Sequence, residues 1–100
     1  MSRPSFFVFE SNSKGVILAL PFEAHTIQVI VTRKGFLNYF KLREIDPEAL
    51  KTWAKRNIGP LSQIAWFAYD QGRYQERTVA TNLVRQLEID IDKYAGWAFV

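Results

Sequence analysis

Thr26-Ile27-Gln28-Val29-Ile30-Val31-Thr32 sets Ile27, Val29 and Val31 on one side of the chain and Thr26, Gln28, Ile30 and Thr32 on the other. Alternation of branched residues with a period of two marks a strand that buries one face. Upstream, two short apolar runs, Phe6-Phe7-Val8-Phe9 and Val16-Ile17-Leu18-Ala19-Leu20, flank the turn-forming cluster Ser11-Asn12-Ser13-Lys14-Gly15 and read as a β-hairpin. Downstream, Arg33-Lys34-Gly35 fits a three-residue hairpin loop with glycine in the left-handed position, which predicts a fourth strand from Phe36 to about Arg43. Connections this short join antiparallel strands, so the first half predicts a meander.

After Ile45 the period becomes helical. Asp46-Pro47-Glu48 supplies an N-cap residue, a proline in the first turn and an acid at the positive end of the helix dipole. Leu50, Trp53, Ala54 and Ile58 then form an apolar stripe opposite Lys51, Lys55 and Arg56, and Gly59-Pro60 is the expected stop. A second helix is predicted over Leu61 to Tyr74, with Leu61, Ile64, Ala65 and Ala68 as its stripe and Trp66, Phe67 and Tyr69 widening it. Val79, Ala80, Leu83, Val84, Leu87 and Ile91 recur at helical intervals and predict a third helix, either separate or continuous with the second through Gly72. The expected fold is α+β: an N-terminal antiparallel sheet of three to four strands followed by two to three helices packed on one face, with residues 1–100 as a single domain.

A composition of 48% hydrophobic and 23% charged residues is that of a folding chain rather than a disordered one. No apolar run approaches the roughly 20 residues of a membrane-spanning helix. Met1-Ser2-Arg3-Pro4 is followed by no secretory apolar region, so a cytoplasmic protein without membrane contact is expected. The absence of cysteine agrees with that compartment and excludes thiolate catalysis, iron–sulfur clusters and cysteine zinc sites.

Few residues point to chemistry. His25 is the sole histidine, with Glu23 two residues before it in an expected turn, and a surface or capping role is predicted. No serine has the glycine-flanked setting of a nucleophile elbow. On a strand, Glu88, Asp90 and Asp92 would share one face, the arrangement that holds magnesium in nucleases. The apolar stripe running through Leu87 and Ile91 favours a helix instead, with Arg85 close enough to pair with Glu88. Glycines at 15, 35, 59, 72 and 96 are too scattered for a phosphate-binding loop. The expectation is a protein with no enzymatic activity, no cofactor, no metal and no small-molecule substrate.

Two binding surfaces are predicted. Between residues 33 and 56 the seven bases Arg33, Lys34, Lys41, Arg43, Lys51, Lys55 and Arg56 outnumber the three acids Glu44, Asp46 and Glu48, a local charge of +4 in a chain of +3. Such a segment suits phosphates or an acidic protein surface. A meander followed by a helix, with Arg33 and Lys34 at the hairpin tip and Lys41, Arg43, Lys51 and Lys55 after it, resembles in outline the small sheet-and-helix DNA readers of mobile-element integrases. Phe36, Tyr39 and Phe40 would stack bases there if they faced solvent, and would cover the first helix otherwise. The second surface is aromatic. Trp66, Phe67, Tyr69, Tyr74, Trp97 and Phe99 lie where smaller residues already meet the needs of a core, and they are residue types that carry binding energy at interfaces. The tail Tyr94-Ala95-Gly96-Trp97-Ala98-Phe99-Val100 is apolar to its last residue and should be tied down.

A short, cysteine-free chain with 15 aromatics and no catalytic constellation, carrying runs such as Phe6-Phe7-Val8-Phe9 and Trp97-Ala98-Phe99-Val100, resembles in size and style the small bacteriophage proteins that act on host machinery. These are the anti-RecBCD proteins of lambdoid phages and the anti-CRISPR proteins. The resemblance implies an inhibitor or modulator that binds a large host nuclease or helicase complex of DNA repair or defence in the bacterial cytoplasm. Trp66, Phe67, Tyr69, Tyr74, Trp97 and Phe99 are the expected contacts. The alternative is a DNA-binding module working through residues 33–56.

Overall fold

A computed structural model describes residues 3–94, 96 and 97. Strands β1 (Phe7–Asn12), β2 (Gly15–Phe22) and β3 (His25–Thr32) open the chain. Helices α1 (Arg33–Phe40), α2 (Pro47–Arg56) and α3 (Ile58–Asp70) follow. Strands β4 (Gln75–Val79) and β5 (Asn82–Ile89) and a single 3-10 turn, Ile91–Lys93, complete the described chain. The α+β class holds, with a three-stranded antiparallel sheet at the N-terminus and helices on one face. The sheet has five strands in the order β1-β2-β3-β5-β4, because the chain returns to it after the helices. β5 lies beside β3 in parallel, which the α-helical crossover permits and an all-antiparallel meander would not.

Register explains which side chains go inside. Val16 faces Val31, Leu18 faces Val29 and Leu20 faces Ile27 across β2 and β3. Val29 and Val31 in turn face Leu87 and Ile89 of β5. These residues, with Leu50, Trp53 and Ala54 of α2 and Leu61, Ile64, Ala65 and Ala68 of α3, form the buried core. The three helices therefore lie on one side of the sheet, α2 over β1 and β2 and α3 against β5. No helix among the described residues is long and apolar enough to cross a membrane.

β3 forms where the sequence predicts it, β1 and β2 extend into the expected turn cluster so that only Ser13 and Lys14 turn, and the stripes of α2 and α3 form except that Ile58 opens α3; two segments differ altogether. The stretch expected as a hairpin loop and fourth strand, residues 33–43, is α1. Thr32 caps it, its Oγ1 accepting from the Gly35 N–H at 3.1 Å, and Lys41 closes it in the left-handed conformation at φ 55°. The helix forms despite two bases in its first turn because Phe36 is buried against Trp53, with ring centroids 4.9 Å apart, and Phe40 lies 4.7 Å from Phe36 one turn on. Gly35 is needed for packing rather than for a turn: a Cβ there would lie 2.7 Å from the Asp90 Cα.

The predicted third helix is the β4–β5 hairpin. Leu83, Leu87 and Ile89 share the inner face, but the residue between them on that face is Arg85, and this charge interrupts the alternation that would mark a strand. The turn Ala80-Thr81 contains no glycine, and Ala80 sits at φ 57°. Left-handed backbone costs an alanine about 1 kcal/mol, so Ala80→Gly is expected to raise the thermal midpoint by roughly 4 °C; an unchanged or lower midpoint contradicts this.

Helix ends also differ from expectation. Asp46 occupies the N-cap position of α2 without a side-chain hydrogen bond. α2 stops at Asn57, not at Gly59-Pro60: this fully buried residue donates its side-chain N–H to the Trp53 carbonyl at 3.0 Å, and its own carbonyl accepts from Leu61 at 3.0 Å. One residue thus ends α2 through its side chain and starts α3 through its backbone carbonyl. Pro60 falls in the first turn of α3, where its missing N–H leaves no bond unmade. α3 ends at Asp70, ahead of Gly72 at φ 74°.

Candidate functional site

The residues expected to contact a partner separate into two groups around α3. Trp66 turns inward: it is 7% exposed, stands edge-on to Phe22 and tilted against Phe6, and its Nε1 donates to the Pro4 carbonyl at 2.9 Å. Its role is to clamp the N-terminal segment, helped by Ser62 Oγ, which accepts from the Phe6 N–H at 2.9 Å. Phe67, the next residue, points the other way and is 45% exposed. Its ring lies 6.2 Å from that of Trp97, which follows the 3-10 turn. The Tyr94 carbonyl accepts from the Trp97 N–H at 2.9 Å. Phe99 lies outside the described residues.

Between Phe67, Trp97 and the N-terminal segment runs an open groove of about 570 Å³. Arg3 and Asp70 form an ion pair on its rim at 2.6 Å, and the Arg3 guanidinium stands 4.5 Å from the centre of the Trp66 ring. Gln63, Ser62 and Ser5 supply further polar groups. The groove has apolar walls with a polar rim, the anatomy of a protein contact site rather than of a reaction centre. Arg3 and Asp70 are separated by 67 positions, and nothing local in the sequence joins them.

Tyr69 and Tyr74 belong to a second cluster, which adjoins the first through Trp66, whose ring lies 5.5 Å from that of Tyr69. Their rings stack with centroids 5.0 Å apart. Arg85, projecting from the inner face of β5, donates to the Tyr69 hydroxyl at 2.6 Å, lies 4.9 Å from the centre of the Tyr74 ring and pairs with Glu76 at 3.0 Å. The expected pairing of Arg85 with Glu88 is replaced by this one, since on a strand those two side chains lie on opposite faces. His25 stacks on Tyr69 and shares a hydrogen bond of 2.9 Å with its hydroxyl. The hydrogen bond to Tyr69, with the attraction of nearby Glu76, holds the Arg85 pKa above its ordinary value. The cluster fastens the β4–β5 hairpin to the end of α3, and Arg85 is the residue whose importance the sequence concealed.

The basic residues are spread over two helices and the loop between them. Arg33 and Lys34 open α1, Lys41 closes it, Arg43 lies in the following loop, and Lys51 and Lys55 are on α2. Arg33 and Lys34, with Lys14, border an open depression of about 570 Å³ that also holds Glu88 and Asp90, so acids interrupt the positive charge there. Phe36 is buried, which removes it from any stacking platform. Glu88 lies on the outer face of β5, whereas Asp90 and Asp92 follow the strand end. Asp90 accepts from Thr32 Oγ1 and pairs with Lys93 at 3.4 Å, and Asp92 accepts from Asn38 at 3.4 Å. These acids tie the 3-10 turn to α1. Among the described residues, no three acids or histidines converge as metal ligands would.

In comparisons with known proteins, no family model, no curated protein and no solved structure matches the chain.

Proposed function

We propose that this protein works by docking on another protein through the groove between α3 and Trp97, without a reaction of its own. The observation that carries the reading is Phe67, a large apolar side chain that is nearly half exposed, packed beside Trp97 along one wall of a groove rimmed by the Arg3–Asp70 pair. Phe67, left open to solvent beside the partly buried Trp97, contributes little to the core beneath it and offers an apolar seat for a partner side chain. Hot spots of protein interfaces have this form, an aromatic anchor within a polar ring that excludes water. The resemblance in size and style to phage accessory proteins supplies the finer reading: the partner is a host nuclease or helicase complex in the bacterial cytoplasm, which docking inhibits or redirects.

The test is affinity purification from bacterial lysate with the intact chain and with Phe67→Ala and Asp70→Arg. Both positions are exposed, so both variants should fold. The expected result is a nuclease or helicase complex retained by the parent protein and reduced at least about tenfold by either change. Equal retention by all three proteins refutes the groove as the docking site.

A further inference from the structure

We infer that the sheet face turned away from the helices is a dimerisation surface for a second copy of this chain. The residues that alternate with the core positions form three rows across the strands. The middle row is Phe7, Ala19, Gln28, Gln86 and Gln75. One flanking row runs Glu10, Ile17, Ile30, Glu88, with Phe9 beside Glu10 at a bulge, and the other runs Pro21, Thr26, Val84, Arg77. None of these apolar side chains packs into the core beneath the helices, although Ile17 and Ala19, at the middle of the face, are each only 9% exposed within the single chain. Phe7 is 49% and Phe9 58% exposed, the largest exposed apolar groups on the strands.

The rows are self-complementary. A two-fold axis laid along the middle row places each of its residues over its own counterpart, and none of the five is charged; Arg77, whose guanidinium lies 3.5 Å from Gln28 Oε1 within one chain, turns from that residue toward Glu88 of the second copy. The same rotation lays each flanking row on the other. Ile17 then faces Pro21 and Ile30 faces Thr26. Glu88 comes over Val84, one strand away from Arg77, within reach of two long side chains. Two symmetry-related ion pairs result, with opposite charges matched at the β5–β4 side and aromatic rings at the β1 side. Sheets pack in this aligned way about 10 Å apart.

The size fits. Strands of five to eight residues, about 17–26 Å long and spaced about 4.8 Å, present roughly 550 Å² in projection, and more as accessible area, against about 800 Å² on each partner of a specific interface. Assembly through strand edges is the poorer solution. A bulge near Val8 and Glu10 disrupts the β1 edge. Antiparallel self-pairing of β4 sets Arg77 against Arg77 or Glu76 against Glu76 in its central registers. The proposed dimer leaves both α3 grooves on its outer sides.

Sedimentation equilibrium of the full chain from about 1 to 200 µM, with circular dichroism to verify folding, tests the inference. A dimer is expected. Phe7→Glu, which places two carboxylates on the axis, should weaken it about a hundredfold. Glu88→Arg and Arg77→Glu alone should each weaken it about tenfold, and the two together should restore it. A protein monomeric throughout overturns the inference, as does a dimer indifferent to Phe7→Glu or a double charge reversal that is no tighter than the single ones.

Discussion

Gly15→Ala is expected to lower stability by about 3–5 kcal/mol and the thermal midpoint by at least about 15 °C. The residue sits at φ 147°, and an added Cβ would lie 2.1 Å from the Val31 carbonyl oxygen and 2.9 Å from the Arg33 nitrogen. Both are backbone atoms in the β2–β3 ladder and its exit into α1, where the Arg33 N–H also donates to the Lys14 carbonyl at 2.9 Å. They can retreat only by breaking that connection. For a domain whose total stability is about 5–15 kcal/mol, the loss approaches unfolding at physiological temperature. Gly59→Ala is the control, since a Cβ there meets nothing within 4 Å and α3 should gain slightly from a better helix former. Thermal melts of the two variants that fall together would contradict the assignment.

The second large effect separates two adjacent aromatics. Trp66→Ala removes a ring packed among Phe6, Phe22 and Tyr69 and deletes the donor to the Pro4 carbonyl, for an expected loss of about 3–5 kcal/mol. Phe67→Ala, one residue on and facing solvent, should change stability by less than about 1 kcal/mol. Urea titration of both variants reads this difference directly. Similar losses at the two positions would mean that Phe67 is part of the core and would remove the argument for the groove. Lost binding by Trp66→Ala would be uninformative about contact, because that variant also releases the N-terminal segment that forms a groove wall.

Much of the fold follows from local pattern. Alternating Ile27, Val29 and Val31 mark β3, and Leu50, Trp53 and Ala54 with Leu61, Ile64 and Ala65 mark the helical stripes, because a single buried face imposes its period on the residues that cover it. All of these are buried. The pattern misleads where an inward position is filled by something other than an aliphatic side chain, or where a short segment owes its form to distant packing. Arg85 occupies an inward strand position because Tyr69 and Tyr74 receive its guanidinium, and without them the same spacing reads as a helix. Residues 33–40 are helical because Phe36 finds Trp53 and Thr32 caps the first turn; eight residues with two leading bases would not hold a helix alone.

The site divides along the same line. An aromatic surplus near residues 66–74 and 97 is visible from composition and position, since counting requires no coordinates. That Trp66 serves the core while Phe67 faces Trp97, and that Arg3 meets Asp70 on the rim, depends on how the N-terminal segment and the chain after β5 converge on α3. Periodicity fixes which way a residue points from its own element. Contacts between residues far apart in sequence depend on strand order, and the parallel placement of β5 beside β3 sets that order for this chain.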